Sequence, residues 1–269
     1  MAARSRLLRF SSASRLFRVG ILLLSALIGA AAGRPVDLTR WSRRLLAVLR
    51  VRQTANGLRA RPGTLVVANH VSWLDVFLIA AGIRGGRAPR FVCKDDVRRW
   101  PLIGWLLERH GTVFVRRSGG RDLKRTGDSI ADHLARGEIV VAFPEGTTSD
   151  GGAVLPFRPA LFDAAARGGH AVLPLALAYE GADGGRSTEV PYVAERTFWQ
   201  SLCAVAARPG LRARLEACDF IDTAGLTRGQ VARRARGEIQ VRIGAGSGAR
   251  RRSSGTWTSA MLSHTATLK

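Results

Sequence analysis

The chain has 269 residues and a formal net charge of +22, carried almost wholly by arginine, since lysine occurs only at Lys94, Lys124 and Lys269. That length suits one α/β domain, or one domain plus a membrane segment, and is enough to bury a full core. Aromatic residues make up 7% of the chain, and no zinc-finger spacing, RNA-binding sheet signature or basic zipper is present. Nucleic acid is therefore set aside as a partner, and an anionic membrane surface is left to account for the charge. Cys93, Cys203 and Cys218 form no CxxC pair, and an odd count argues against a disulfide framework and for a reducing compartment.

The first 52 residues hold eleven arginines against one acid, Asp37, interleaved with Leu7, Leu8, Phe10, Leu16 and Phe17. This is the pattern of a membrane-surface segment. Residues 19–33 carry no charge. As a helix they rise about 22 Å, short of the roughly 30 Å hydrocarbon core. With Leu16 and Phe17 included, and Arg15 and Arg18 snorkelling, the stretch nears the minimum for a span. Residues 40–51 follow as a shorter amphipathic stretch. Three readings stand here: a single spanning helix, a helical hairpin half-sunk in one leaflet, and a signal peptide cut after Ala30-Ala31-Ala32.

Strand and helix signals then alternate. Residues 65–68 read as a buried strand, 71–83 as a helix, 90–93 as a strand and 95 onward as a short helix capped by Asp95. A strongly apolar run covers 100–107. Residues 112–115 read as a strand, 121–135 as an amphipathic helix and 139–143 as a strand ending in Pro144-Glu145-Gly146. A helix over 161–167 closes at Gly168-Gly169, and 172–179 is a strand. A further short strand is expected over 190–193, a helix over 197–207, a strand over 211–220 and a last helix over 226–243. The alternation predicts an α/β fold with a mixed, mostly parallel sheet flanked by helices, after an N-terminal membrane-associated helical segment. The expected organisation is an anchoring segment over 1–52, a globular domain over 53–243, and a Gly/Ser/Arg/Thr-rich disordered tail over 244–269.

Three groups of residues carry chemistry. His70 and Asp75 lie five residues apart where a strand gives way to a helix. In a continuous helix that spacing turns through roughly 140° and separates the side chains. They meet only if His70 lies at or before the first turn and Asp75 reaches back. An imidazole so held keeps its other nitrogen free as a base. Taken alone, such a pair is more often a helix cap with a bystander. His110, His133, His170 and His264 have no comparable partner in the sequence. Next, Phe143-Pro144-Glu145-Gly146-Thr147 follows a strand, at the edge where open α/β sheets bind ligands. There Glu145 offers an acceptor to hydroxyls, and the backbone after it offers donors. Finally, residues 111–117 end a strand in Arg116 and Arg117, whose forks match phosphate geometry; the alternative is a solvated charge run.

Together these segments resemble the glycerolipid acyltransferase family, which includes 1-acylglycerol-3-phosphate acyltransferase. Its N-H-x4-D block is matched by Asn69, His70 and Asp75. Its G-x-x-F-[IV]-x-R block is matched by Gly111, Phe114, Val115 and Arg117. Its F-P-E-G-T-R-S block is matched by 143–147 and Ser149, and its apolar strand around a proline by Val172-Leu173-Pro174-Leu175. The resemblance covers roughly 65–179. It implies transfer of a fatty acyl group from acyl-CoA or acyl-carrier protein to the hydroxyl of a lysolipid. His70 would be the base and Asp75 its orienter. Glu145, Gly146 and Thr147 would shape the acceptor site, with Arg116 and Arg117 holding an anionic group. The tetrahedral intermediate needs donors, for which the Gly146 backbone and Lys94 are candidates. Trp73, Trp100 and Trp105, with Leu102, Ile103 and Leu106, would line an acyl groove, sit at the membrane interface or simply belong to the core. No metal or bound cofactor is implied.

The first-choice acceptor by resemblance is 1-acylglycerol-3-phosphate, giving phosphatidic acid. One departure weakens it: Thr148 stands where the family carries an arginine implicated in binding the acceptor phosphate. A lyso-ornithine lipid is the alternative acceptor, and a peripheral membrane lipid-binding protein is the non-enzymatic alternative. The expected location is the membrane, with the catalytic domain facing the cytoplasm.

Overall fold

The computed structural model describes residues 2–34, 37–56, 58–84, 88–99, 103–115, 120–181, 184–193, 196–208 and 210–248. Side chains at 2–11, 103, 106, 120–123 and 246–248 are left out of that description. Helices α1 (Ala2–Ala31) and α2 (Leu38–Leu49) come first, then strands β1 (Arg52–Asn56) and β2 (Leu65–Ala68) and helix α3 (Leu74–Gly82). β3 (Arg90–Lys94), a 3₁₀ turn over Asp95–Arg99, α4 (Ile103–Arg109), β4 (Val113–Val115), α5 (Gly120–Ala135) and β5 (Val140–Ala142) follow. A second 3₁₀ turn, Pro159–Phe162, leads into α6 (Asp163–Gly168), β6 (Val172–Glu180), α7 (Phe198–Ala207), β7 (Arg212–Ala217) and α8 (Arg228–Gly248).

The seven strands form one sheet in the order β1-β7-β6-β2-β5-β3-β4. Strands β6, β2, β5, β3 and β4 are mutually parallel, while β7 pairs antiparallel to β6 and carries β1 parallel to itself. The predicted mixed, mostly parallel sheet is what the chain forms. β2 and β5 are buried along their whole length, as continuous apolar runs covered by helices on both faces should be. β6 tolerates Pro174 because the missing N–H falls on the β7 flank, just past the last ladder pair, Leu175 with Ala217. There the Pro174 carbonyl still accepts the Cys218 N–H at 2.9 Å.

Three expectations need correction. β1 was not foreseen: its sequence, Arg-Gln-Thr-Ala-Asn, lacks an apolar face and its residues are mostly exposed, as suits an edge strand. Residues 190–193 are not a strand. They hang from the site by the Tyr192 N–H on the Val71 carbonyl (2.8 Å) and by the Thr148 hydroxyl on the Tyr192 carbonyl. The last helix continues through Gly248 rather than ending at Ile243, and residues 249–269 lie outside the described residues.

α1 does not stand clear of the domain. Val19, Leu22, Ala26 and Ala30 are buried, whereas Phe17, Ile21, Leu24 and Ile28 form an exposed apolar stripe at the 3.6-residue period. Arg15 donates to the Ala206 carbonyl on α7, and Arg109 on α4 donates to the Ala30 carbonyl at 2.7 Å. The helix is thus tied to the domain near both ends of its apolar part. The segment Ser12–Ala31 is long and apolar enough to cross a membrane by length and composition. α2 folds back on α1, its Trp41 indole reaching the Leu22 carbonyl at 3.4 Å. Its N-terminus is capped by Asp37, which accepts the Arg40 N–H at 3.0 Å.

Candidate active site

The site grows from the end of β2. Asn69 leaves the sheet, but its side chain stays in the ladder: Nδ2 donates to the Leu177 carbonyl (2.9 Å) and Oδ1 accepts the Leu177 N–H (2.8 Å). The amide stands in for a strand residue beside β6, and the backbone is released to turn. Only a side chain with both a donor and an acceptor can do this; aspartate or leucine cannot.

His70 follows, before the first turn of α3, and Asp75 reaches back to it. Nδ1 lies 2.8 Å from Asp75 Oδ2, which meets the condition set by the five-residue spacing. The same Oδ2 accepts the N–H groups of Val71 (2.8 Å) and Ser72 (3.0 Å), and Oδ1 accepts the Tyr179 hydroxyl. The donors from Val71, Ser72 and Tyr179 on a fully buried side chain fix the carboxylate as acceptor only. His70 Nδ1 therefore carries the proton, and Nε2 keeps its lone pair. The imidazole stacks on Phe143 with centroids 4.1 Å apart and 18° between planes. Its side chain is 20% exposed while that of Asp75 is 0% exposed, so the dyad is buried at one end and open at the other.

Glu145 does not face the cleft as expected. It is buried; Oε1 accepts the His70 N–H at 3.2 Å, and Oε2 has no hydrogen-bond partner among the described residues. Burial raises its carboxyl to about 7; the N–H groups of His70 and Leu155 and the charge of Arg236 oppose the shift, and the Asp75 charge adds to it. Its position supports the His70 backbone, which Ser149 holds from the other side through its N–H on the His70 carbonyl (2.8 Å). The Gly146 backbone is likewise spent: its N–H closes a turn onto the Phe143 carbonyl at 3.0 Å, with φ at +69°. Thr147, one residue on, is exposed, and its N–H has no acceptor among the described residues.

The topology brings the remaining candidates to one edge. Lys94 ends β3, exposed, two strands from β2 across β5, or about 10 Å at the usual strand spacing. β4 ends at Val115 beside it; Arg116 and Arg117 lie outside the described residues. Of the expected acyl-groove residues, Trp73 is committed elsewhere. Its indole donates to Ser201 Oγ at 3.0 Å, and its ring packs edge-on against Phe77 and Phe198. Trp105 is covered by the Arg109 guanidinium at 4.6 Å. Trp100 and Leu102, and the side chains of Ile103 and Leu106, lie outside the description.

One reading of the other histidines is corrected. His133 does have a partner, Glu138, again five residues on. That carboxylate also takes two bonds from Arg90, at 2.9 and 3.3 Å. Burial pushes the Glu138 carboxyl up, but the bonds from His133 and Arg90 outweigh it and hold it below the usual range.

Known proteins show the same arrangement of sequence. The Acyltransferase family profile matches residues 49–178. A lyso-ornithine lipid O-acyltransferase of Pseudomonas aeruginosa is 35% identical over 208 residues, covering 77% of this chain and 78% of that protein. The chain belongs to the acyltransferase family. A 1-acyl-sn-glycerol-3-phosphate acyltransferase of Neisseria gonorrhoeae is 39% identical over 130 residues, 48% of this chain and 49% of that one. The fold is that of the Thermotoga maritima 1-acyl-sn-glycerophosphate acyltransferase crystal structure, at a TM-score of 0.63 and 21% identity over 92% of this chain and 98% of that one.

Three contributors to the site were missed in the sequence: Phe143 against the imidazole, Tyr179 on the carboxylate and Asn69 as a strand surrogate. Phe143 and Asn69 were named only as members of their motif blocks, without these contacts, and Tyr179 is a residue of a buried strand that nothing in its local pattern marks.

Proposed function

We propose that the protein transfers a fatty acyl group from a thioester donor to the hydroxyl of a lysolipid, and that the acceptor is a lyso-ornithine lipid. The observation that carries the chemistry is the buried Asp75 on His70 Nδ1, with Nε2 left open at the C-terminal edge of the parallel strands. The acceptor hydroxyl attacks the thioester carbonyl while Nε2 takes its proton, and Asp75 stabilises the imidazolium that forms. The C–O bond forms, the C–S bond breaks, and the proton passes from Nε2 to the departing thiolate. General-base help of this kind is worth roughly 10²–10⁴-fold. With Gly146 spent in its turn, the Thr147 N–H is the backbone donor left for the oxyanion. Lys94 lies too far along the edge for that task and suits an anionic part of the donor or acceptor, as Arg116 and Arg117 do. No serine nucleophile is needed, because the acceptor brings its own hydroxyl.

Thr148 supports the choice of acceptor. A phosphate is best met by a guanidinium fork, and this position offers instead a hydroxyl engaged on the Tyr192 carbonyl. An ornithine headgroup offsets its one carboxylate charge with its own ammonium, so it leans less on a guanidinium at this position than a phosphate does. The longer of the two sequence matches described above, over 77% of the chain against 48%, is to a lyso-ornithine lipid O-acyltransferase.

α1 and α2 form a hairpin half-inserted in one leaflet. A helix tied along the domain at Arg15 and Ala30 presents its stripe of Phe17, Ile21, Leu24 and Ile28 sideways, which suits lying in the interface rather than crossing the bilayer. Flanking arginines meet anionic headgroups. The domain faces the cytoplasm, in keeping with three free cysteines.

The test is a competition. Purified protein in vesicles receives labelled acyl-CoA or acyl-carrier protein with equal lyso-ornithine lipid and lysophosphatidic acid. Preferential acylation of the former is expected, and Thr148→Arg should move the ratio toward the phosphate acceptor by about tenfold, the value of one charge-assisted hydrogen bond. Preference of the native protein for lysophosphatidic acid would overturn the acceptor assignment.

A further inference from the structure

Tyr179 lies on β6, outside the residues that match the four family blocks, yet it touches the dyad. It is 3% exposed and stands two residues past Leu177, whose backbone Asn69 holds on both its N–H and its carbonyl. The alternation of a strand sets Leu177 and Tyr179 on the same face, and the Tyr179 hydroxyl donates to Asp75 Oδ1. The two carboxylate oxygens are unequally served. Oδ2 receives three donors, whereas Oδ1 receives Tyr179 alone among the described residues. Asp75 is fully buried, so no solvent substitutes for the phenol.

We propose that Tyr179 is a positioning residue of the acyl-transfer reaction, whose hydroxyl fixes the rotation of the Asp75 carboxylate and draws off part of its charge. It thereby sets how strongly Asp75 holds the His70 imidazolium. The proposal rests on the reading of His70 as the base. Burial first, and then the Asp75 charge, hold the phenol protonated well above its usual range, so it donates throughout the working pH. A donor on a carboxylate matters most while the imidazole is neutral and less once an imidazolium offsets the charge. Losing the donor therefore favours the protonated ring.

Other charged groups face the dyad from few directions. Glu145, from the turn after β5, bonds the His70 N–H and senses the Asp75 charge; Arg236, from α8, acts on Glu145. Arg236 is bonded to the Val154 and Leu155 carbonyls. Neither is bonded to Tyr179, so a change at Tyr179 leaves the Glu145 titration in place as a fixed background.

The experiment measures kcat/KM against pH in Tyr179→Phe and, without substrate, follows the His70 imidazole by NMR, its signal assigned by its loss in His70→Gln. The acidic limb and the imidazole titration should both move up by about 0.5–1 pH unit, the share of a charge-assisted hydrogen bond that differs between the two protonation states. The plateau kcat should fall as well. A second arm keeps the ring hydroxyl. Tyrosine occurs only at Tyr179 and Tyr192, so 3-fluorotyrosine incorporated into Tyr192→Phe protein sits at position 179 alone. Its more acidic phenol donates more strongly and should move both readouts down relative to the Tyr192→Phe parent. Opposite shifts in the two arms support the proposal. Unmoved limbs and unmoved titrations, with only a loss of thermal stability, overturn it and leave Tyr179 a core residue. If Tyr179→Phe fails to fold, the absence of a shift in the fluorotyrosine arm overturns it. Undiminished transfer in His70→Gln would instead overturn the base reading, and is seen independently of the Tyr179 shifts.

Discussion

Asp75 is the place where stability and catalysis can be pulled apart, by comparing Asp75→Asn with Asp75→Ala. The asparagine can place its carbonyl where Oδ2 now accepts from His70, Val71 and Ser72. Its amide then faces the Tyr179 hydroxyl, which can turn from donor to acceptor. The His70, Val71 and Ser72 donors keep their acceptor and only the phenol proton loses its own, so the stability loss should stay within about 1–3 kcal/mol, the cost of one orphaned buried donor. The imidazolium loses its counter-charge, and kcat should fall about 10²–10⁴-fold. Alanine is a different perturbation. It orphans the Val71 and Ser72 N–H groups and the Tyr179 hydroxyl, while the half-open His70 can turn to water. At about 1–3 kcal/mol for each orphaned buried donor, the cost is about 3–9 kcal/mol, comparable with the whole stability of a domain at about 5–15 kcal/mol. Urea denaturation and steady-state kinetics on both variants check this. A near-native kcat in Asp75→Asn would refute the dyad, and an alanine variant as stable as the asparagine one would refute the hydrogen-bond accounting.

Two further outcomes are expected. Glu145 has a folded value of about 7 against an ordinary 4.5, so the folded chain binds more protons than the unfolded one between those limits. Stability should fall as pH rises from about 4.5 through 7, by about 3 kcal/mol at most. Glu145→Gln, whose carbonyl can still accept the His70 N–H, should flatten that slope in denaturation curves at pH 5, 6 and 7.5; an unchanged slope would place the titration elsewhere. At the end of α2, Arg50 is the only non-glycine residue with positive φ among the described residues, at 56°. Arg50→Gly should stabilise the chain by about 1 kcal/mol in denaturant titrations, while also taking one positive charge away from the buried Arg15.

Much of the fold was legible because the buried strands spell themselves out. The runs at 65–68, 140–142 and 172–179 are apolar on both faces, and no solvated element reads that way. β1 was not legible because an edge strand with a polar sequence is held by its partner: Arg52 to Asn56 pair residue by residue with Arg212 to Glu216, and pairing of this kind leaves no trace in periodicity. The site was legible by residue type but not by direction. Glu145 and Gly146 stand where the motif puts them, yet one points its carboxyl inward and the other spends its N–H on a turn. Backbone conformation decides both, and the sequence carries that only through the preference of Gly146 for positive φ.

The two histidine–carboxylate pairs show what spacing alone cannot decide. His70 with Asp75 and His133 with Glu138 share a five-residue separation and an Nδ1-to-carboxylate bond. The first lies past the C-terminal end of β2, where neighbouring parallel strands end together and their connecting loops open a cleft. The second lies between the end of α5 and the start of β5, at the opposite edge. There Arg90, at the start of β3, fills the remaining lone pairs of Glu138. Arg136 comes within 3.1 Å of the His133 nitrogen as well. A carboxylate that already neutralises an arginine has little charge to spare for an imidazolium, whereas Asp75 is met by neutral donors and keeps its charge for the ring. What suits one pair to the proposed roles of base and orienter, and the other to a clasp between two elements, is the company each carboxylate keeps and the sheet edge on which it stands.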